Sequence, residues 1–387
     1  MFREATGHYE TSPAGGEIVR SFVPDPLPPL PPLELNGMRQ AALERATLAL
    51  GRLDSIALLL PDPQLFLYAY VRREAVLSSQ IEGTQSSLSD LLLFELEETP
   101  GVPFNDVVEV SNYVAALEFG MNRLREGFPL CNRLLRDMHV HLMARGRGAE
   151  KAPGEFRRTQ NWIGGTRPGN ARFVPPPPQE VESCMAALER FINDDTAIIP
   201  VLLKAALVHV QFETIHPFLD GNGRLGRLLI AMLLHEGGAL VQPLLYLSLY
   251  FKQHRNMYYE LLDGVRSHGD WEAWVDFFLE GVELTATSAV NTARRLVDLF
   301  QQDSHRVQAS GRGAANLLRV LEALRQRPLN DLGQISRQAS VSFPTASKAM
   351  LALVEMGIAR ELTGQRRNRV FVYDAYMNIL NEGGEAL

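Results

Sequence analysis

From Gln40 to about residue 300 the apolar residues of this 387-residue chain recur at three- and four-residue spacing, and little of the sequence alternates with period two. That spacing makes the body of the chain predominantly α-helical, because each helix buries one apolar face against its neighbours. Helices are expected at about 64–81, 105–126, 130–146, 179–194, 198–213, 223–236, 249–266 and 270–300. The first follows a break at Pro61-Asp62-Pro63 and presents Tyr68, Ala69 and Val76 on one face. It stops near Glu82-Gly83, where glycine ends a helix readily.

Three stretches depart from this pattern. Residues 21–34 hold six prolines, which predicts extended backbone laid across the body. Residues 155–175 combine short β-prone pieces with glycine- and proline-bearing turns, which predicts a small hairpin. Residues 301–314 are polar and glycine-bearing, as expected of a linker. At 46% hydrophobic and 21% charged residues the composition is that of a globular protein, and the length calls for two or three domains. Cys131 and Cys184 lack metal-ligand spacing and read as thiols in a reducing compartment. With no signal-peptide core at the N-terminus and no apolar run of about 20 residues, a cytoplasmic protein with no membrane partner is expected.

The net charge of −7 hides an asymmetry: residues 312–373 carry ten Lys/Arg against four Asp/Glu, so this segment is +6 and the remainder −13. Within it, helices at 317–325, 331–339 and 343–356 precede two alternating strands around GQRRN, the outline of a winged helix-turn-helix. Ser342, Thr345, Ser347 and Lys348 begin the third helix, where a recognition helix meets DNA, and Arg366, Arg367 and Arg369 suit backbone phosphates. Such modules also dock proteins or dimerise, and the sequence leaves DNA, a protein or a second copy of the chain open as the partner.

Residues 216–227 read HPFLDGNGRLGR, between the helix ending near 213 and the one starting near Asn222. A helix start offers unpaired N–H groups and partial positive charge to a phosphate. Gly221 and Gly223 let that phosphate approach the backbone, and Arg224 and Arg227 add two guanidinium forks on one face. Asp220 is a hard oxygen ligand suited to Mg²⁺ beside a nucleotide, and His216 titrates near neutrality as a general base does. A lone histidine is more often a satisfied core residue; in this company a chemical role is the stronger reading.

Every specified position of the run, His216, Phe218, Asp220, Gly221, Asn222, Gly223, Arg224 and Arg227, resembles the active-site motif of the Fic family. The resemblance extends through FVPDPLPPLPP, GEFR and FVPPPP. It implies a Fic-type helical core with a small β-hairpin flap, and transfer of AMP from ATP to Ser, Thr or Tyr hydroxyls of proteins, itself included, with release of pyrophosphate. By that resemblance His216 is the base, Asp220 holds Mg²⁺, and Phe218, Gly221, Asn222, Gly223, Arg224 and Arg227 serve ATP, with Arg227 on the γ-phosphate. Tyr259 and Leu262 would meet the adenine with Tyr258 nearby, and Trp162, Ile163, Gly164 and Gly165 would form the flap that aligns the protein target; as residues alone, Tyr258, Tyr259 and Leu262 fit ordinary core equally well, and Trp162 fits a core position as well as a flap. SSQIEG, with Ser78, Glu82 and Gly83, resembles the family's inhibitory motif, in which the glutamate pairs with the last arginine, and in some relatives helps remove AMP. On this reading 1–110 is an arm and helical region carrying the inhibitory motif, 111–300 the catalytic core, and 301–387 linker and winged helix. Two other functions compete: a nucleotide-sensing DNA-binding transcriptional regulator, and a metal-dependent phosphodiesterase, which the absence of a second His/Asp cluster disfavours.

Overall fold

The computed structural model describes residues 6–14, 16–59, 63–97, 104–194, 196, 198–311, 313–364 and 368–382. Its centre is α7 (Val201–Ile215), which is buried on every face from Leu202 onward except at Lys204, as a helix apolar all round must be. Packed on it is α8 (Asn222–Glu236), and the loop between the two is HPFLDG. Around this pair lie α1 (Gly37–Leu59), α2 (Pro63–Ile81), α3 (Leu88–Glu97), α4 (Phe104–Arg125), α5 (Asn132–Leu142) and α6 (Pro178–Ile192). Residues 60–62, the expected break, lie outside the described residues.

On the other side, α9 (Ser248–Gln253) and α10 (Arg255–His268) replace the single helix expected over 249–266; the chain kinks at His254, whose ring packs on Tyr250. The 38-residue α11 (Trp271–Gln308) follows with α1 packed along it, and Trp274 donates its indole N–H to the carbonyl of Ala206 in α7 (2.9 Å).

α11 also corrects the expected linker. Residues 301–308 are helical because their inward face is covered: Val307 is fully buried, and the buried Asp303 accepts a bond from the Tyr373 hydroxyl (2.6 Å). Only 309–313 join α11 to the C-terminal module. There α12 (Ala314–Gln326), β3 (Leu329–Asp331), α13 (Leu332–Gln338), α14 (Phe343–Glu355), β4 (Arg360–Glu361), β5 (Val370–Val372) and α15 (Asp374–Asn381) follow in order. The expected three helices and two strands are present, with β3 as an unforeseen third strand in the antiparallel order β3-β5-β4.

Two β features differ from expectation. An N-terminal hairpin, β1 (Gly7–Ala14) with β2 (Glu17–Pro24), precedes the proline-rich arm and takes in its first residues. Residues 155–175 form no regular hairpin: one antiparallel bridge, Ile163 with Phe173, closes a loop holding a 3₁₀ turn at Pro168–Asn170. The Asn170 side chain satisfies the N–H groups of Thr166 and Arg167 (both 3.0 Å), so the backbone there turns instead of pairing. β2 braces this loop, with Phe22 N–H donating to the carbonyl of Val174 (2.9 Å) and an ion pair joining Glu17 to Arg167. Among the described residues no helix is long and apolar enough to cross a membrane.

Candidate active site

The loop is held in shape by residues that are remote in sequence. His216 ends α7 in the left-handed region (φ 50°), a strained conformation for a residue with a Cβ. Arg157 restrains it: its Nε donates to the His216 carbonyl (2.9 Å) and its backbone N–H to the Pro217 carbonyl (2.8 Å). Asn161 donates to the Phe218 carbonyl (3.1 Å). His139 Nδ1 accepts from Gly154 N–H (2.8 Å), which leaves the proton on Nε2 to donate to the Asp220 carbonyl (3.0 Å). The fully buried Phe218 stacks on that imidazole with ring centroids 3.8 Å apart. Gly221, left-handed at φ 76°, lets the chain enter α8 past Met143, whose sulfur lies 2.9 Å from where a Cβ would stand.

Asn222 stands at the start of α8, where its side chain has a structural task. Its side chain accepts from Phe218 N–H (2.9 Å) and donates to the Phe218 carbonyl (2.8 Å), so it clamps the loop and leaves only backbone N–H to a phosphate.

His216 faces a cleft of about 490 Å³ lined by Asp220, the Gly221–Arg224 turn, Glu82, Glu109 and Lys151 among others. Burial, followed by the charges of Arg266 and Arg157, lowers its pKa to about 4, so the imidazole is neutral. Its Nδ1 is buried without a partner. Each oxygen of the Asp220 carboxylate has one donor: Oδ1 accepts from Gly221 N–H (2.7 Å) and Oδ2 from the Lys151 ammonium (3.0 Å), with the Arg224 guanidinium 3.8 Å from Oδ1. Burial would raise the Asp220 pKa, but Lys151 outweighs it and holds the carboxyl below its usual range. No cluster of three His, Cys, Asp or Glu suited to a metal occurs among the described residues. A divalent ion on Asp220 therefore needs the remainder of its shell from phosphate oxygens and water, which is how Mg²⁺ is commonly held beside a nucleotide. The donor set fits.

Both arginines of α8 are buried and committed. Arg224 lies 3.4 Å from Glu109. Arg227 donates Nε to the Ser78 hydroxyl (2.8 Å), and one terminal nitrogen both to the Ser78 carbonyl (3.0 Å) and to Glu82 Oε1 (2.7 Å). Burial opposes charge on both partners, yet Arg227 is shifted upward by Glu82 and Glu82 downward by Arg227. Gly83, left-handed, ends the turn after α2. Gly223 leaves room for the Glu82 carboxylate, which a Cβ at that position would displace.

Other expected positions are placed as follows. Tyr258 and Leu262 are buried core; the Tyr258 hydroxyl donates to His209 Nε2 (2.9 Å), since His209 Nδ1–H is given to the Gly226 carbonyl (3.0 Å), and the Tyr258 ring stacks on Phe251. Neither they nor Tyr259, which is partly buried against Tyr258, line the cleft around Asp220. Trp162 is 39% exposed, so the alternative of a core tryptophan fails, and Ile163, Gly164 and Gly165 lie on the bridged loop beside it. In the C-terminal module Ser342 caps α14, Thr345 bonds Ser342, Lys348 is exposed, and Arg369 is ion-paired with Glu361. Arg366 and Arg367 lie outside the described residues.

A strained histidine faces a glycine-lined helix start with a carboxylate and two buried arginines, a helix–loop–helix arrangement whose chemistry suits an anion such as phosphate. Residues 40–122 match the model of the Fic/DOC family N-terminal region and residues 129–234 that of the Fic/DOC family, so the chain carries both domains of that family. It is 35% identical over 210 residues to the protein adenylyltransferase Fic of Culex quinquefasciatus, covering 53% of this chain and 39% of that one. With the protein of the same name from Drosophila yakuba it shares 37% over 135 residues, 34% of this chain and 24% of that one. The match thus spans less than half the length of these curated relatives. A Fic family protein of Desulfovibrio desulfuricans G20 has the same fold (TM-score 0.57, 20% identity, 89% of this chain and 98% of that one). A fragment of Fic-1 from C. elegans is also similar (TM-score 0.51, 20% identity, 67% and 74%).

Proposed function

We propose that the chain is a protein adenylyltransferase held inactive by its own Glu82. The observation that carries this reading is the state of Arg227: a buried guanidinium at a phosphate-type helix start whose fork is taken by a carboxylate from α2 and its neighbours. The names of the curated relatives support the activity. ATP would lie over the start of α8, with α-phosphate at the Gly221–Gly223 N–H groups and Arg224 and the γ-phosphate reaching Arg227 once Glu82 withdraws. His216 accepts the proton of the incoming Ser, Thr or Tyr hydroxyl. The new bond forms from that oxygen to the α-phosphorus, the bond from that phosphorus to the bridging oxygen breaks, and pyrophosphate leaves with the electron pair.

A pKa of about 4 suits the nucleotide-free site. The phosphate charges of bound ATP raise it towards neutrality, where an imidazole works best as a base. Asp220 would hold Mg²⁺, which when bound supplies positive charge to the phosphate oxygens. The target strand would pair along the open edge at Trp162–Gly165, the far side of Ile163 being taken by Phe173. Incubation with ATP labelled at the α- or the γ-phosphate tests the reading: label must reach protein from the α position alone. Transfer from the γ position would make the chain a kinase.

A further inference from the structure

Three arginines in or behind the cleft are each held chiefly by partners other than Asp220. Arg147 is held by Glu109 (2.6 Å) and Asp106 (3.3 Å), and Arg224 by Glu109. Arg227, behind them, is held by Ser78 and Glu82. Lys151 differs. Among the described residues its ammonium bonds only Asp220 Oδ2, and its side chain is 46% exposed on a flexible four-carbon stem. Its backbone N–H donates to the Gly148 carbonyl (2.9 Å), and Gly148, left-handed, leaves the Asp220 carboxylate room to approach.

The two oxygens of Asp220 are not equivalent. Oδ1 accepts from Gly221 N–H at the entry of α8 and lies 3.8 Å from the buried Arg224 guanidinium, which makes it the more crowded and more cationic side for a divalent cation to approach. Oδ2 can be taken by displacing one lysine. Two cations cannot share one oxygen closely without strong repulsion, so arrival of the metal expels the ammonium. We propose that Lys151 is a charge-exchange residue of the nucleotide site: it holds Asp220 in place while the site is empty and moves to the nucleotide's phosphate chain when a divalent cation takes Oδ2. This rests on the nucleotide reading given above. Lys151 is thus both a competitor that weakens metal binding to the empty site and a positioning residue for the phosphates.

The test uses the full chain, with Lys151→Met, which keeps the stem and removes the charge, and Lys151→Arg, which keeps the charge. ADP is the probe, because without a γ-phosphate its binding does not depend on the Glu82–Arg227 pair. By calorimetry with Mg²⁺, Lys151→Met should bind ADP about tenfold more weakly, the scale of one charge-assisted contact, and Lys151→Arg should recover most of the loss. In nucleotide-free protein, paramagnetic-resonance titration should show Lys151→Met binding Mn²⁺ several-fold more tightly than the parent. Parent-like affinity for both ADP and Mn²⁺ in Lys151→Met, at an unchanged melting temperature, overturns the proposal. Weakened ADP binding that Lys151→Arg fails to recover also counts against it. Failure of the parent itself to bind ADP would instead sink the nucleotide reading on which it rests.

Discussion

Replacing Glu82 with glycine removes one partner from a fork that is otherwise intact, since Ser78 still bonds Arg227 through its hydroxyl and its carbonyl. The Arg227 side chain is 2% exposed while that of Glu82 is 38% exposed, so the pair is buried on one side only. A fully buried pair costs about 3–5 kcal/mol to break, whereas a hydrogen bond to a charged group with solvent nearby is worth about 2 kcal/mol. The lower figure applies here, because water screens the exposed carboxylate. It corresponds to roughly 30-fold in the fraction of enzyme with Arg227 free for a phosphate. Like-charge repulsion between Glu82 and a γ-phosphate adds to this, so Glu82→Gly should incorporate α-labelled AMP into protein at least about 30-fold faster than the parent, first as self-modification. Glu82→Gln should fall between the two, its amide still accepting from Arg227 without the charge. Adding Arg227→Ala to Glu82→Gly should abolish the gain. Equal incorporation by the parent and Glu82→Gly, with both folded, refutes the inhibitory assignment.

His216→Ala should abolish AMP transfer in the Glu82→Gly background while calorimetry shows ADP affinity within about threefold of the parent, because phosphate contacts come from the α8 turn and its arginines. Stability should pass through a shallow maximum near pH 6.5 in thermal melts, on the following signs. Burial lowers His139 and His216 to about 4 and His209 to about 3, so between 4.5 and 6.5 the unfolded chain binds their protons and stability rises with pH. Burial raises Glu74 and Glu213 to about 7, so the folded chain keeps two protons that the unfolded chain has lost above 4.5, a smaller opposing slope that alone remains above 6.5. If residues 312–373 bind DNA, affinity in gel shifts should fall steeply with salt, and Arg366→Ala with Arg367→Ala should flatten the slope; no salt-sensitive binding would favour docking to protein.

Most helices were legible because each buries one stripe, and periodicity reports burial directly. α8 lies within one residue of its expected start for that reason, whereas α7, buried on nearly every face, is marked by its apolar run after Pro200. The polar stretch 301–308 misled for the complementary reason: composition reports the average over a helix surface, whereas one buried valine and an aspartate bonded to Tyr373 keep it folded. The N-terminal hairpin had a signal in Gly15-Gly16 between two eight-residue runs that pair with each other, but its brace on the 155–175 loop, Phe22 N–H to the Val174 carbonyl, is a contact that local sequence does not encode.

The site divides along the same line. Which residues meet at the start of α8 follows from a twelve-residue run, and their proximity is local. Which partner each side chain takes is a long-range fact. Asn222 and Arg224 are polar residues of the same turn, yet one closes on Phe218 four residues back and the other reaches Glu109 across the fold. Arg157 belongs to the quoted GEFR, but nothing in those four letters says that its guanidinium would restrain the carbonyl of a left-handed histidine 59 residues on. Lys151 shows the limit most sharply. A lone exposed lysine in a loop is ordinarily a solvated charge, and its meaning here comes only from the second oxygen of Asp220, 69 residues away in sequence. Motifs of this kind therefore identify the groups that act on a ligand, while the groups that hold those groups in register have to be read from the fold.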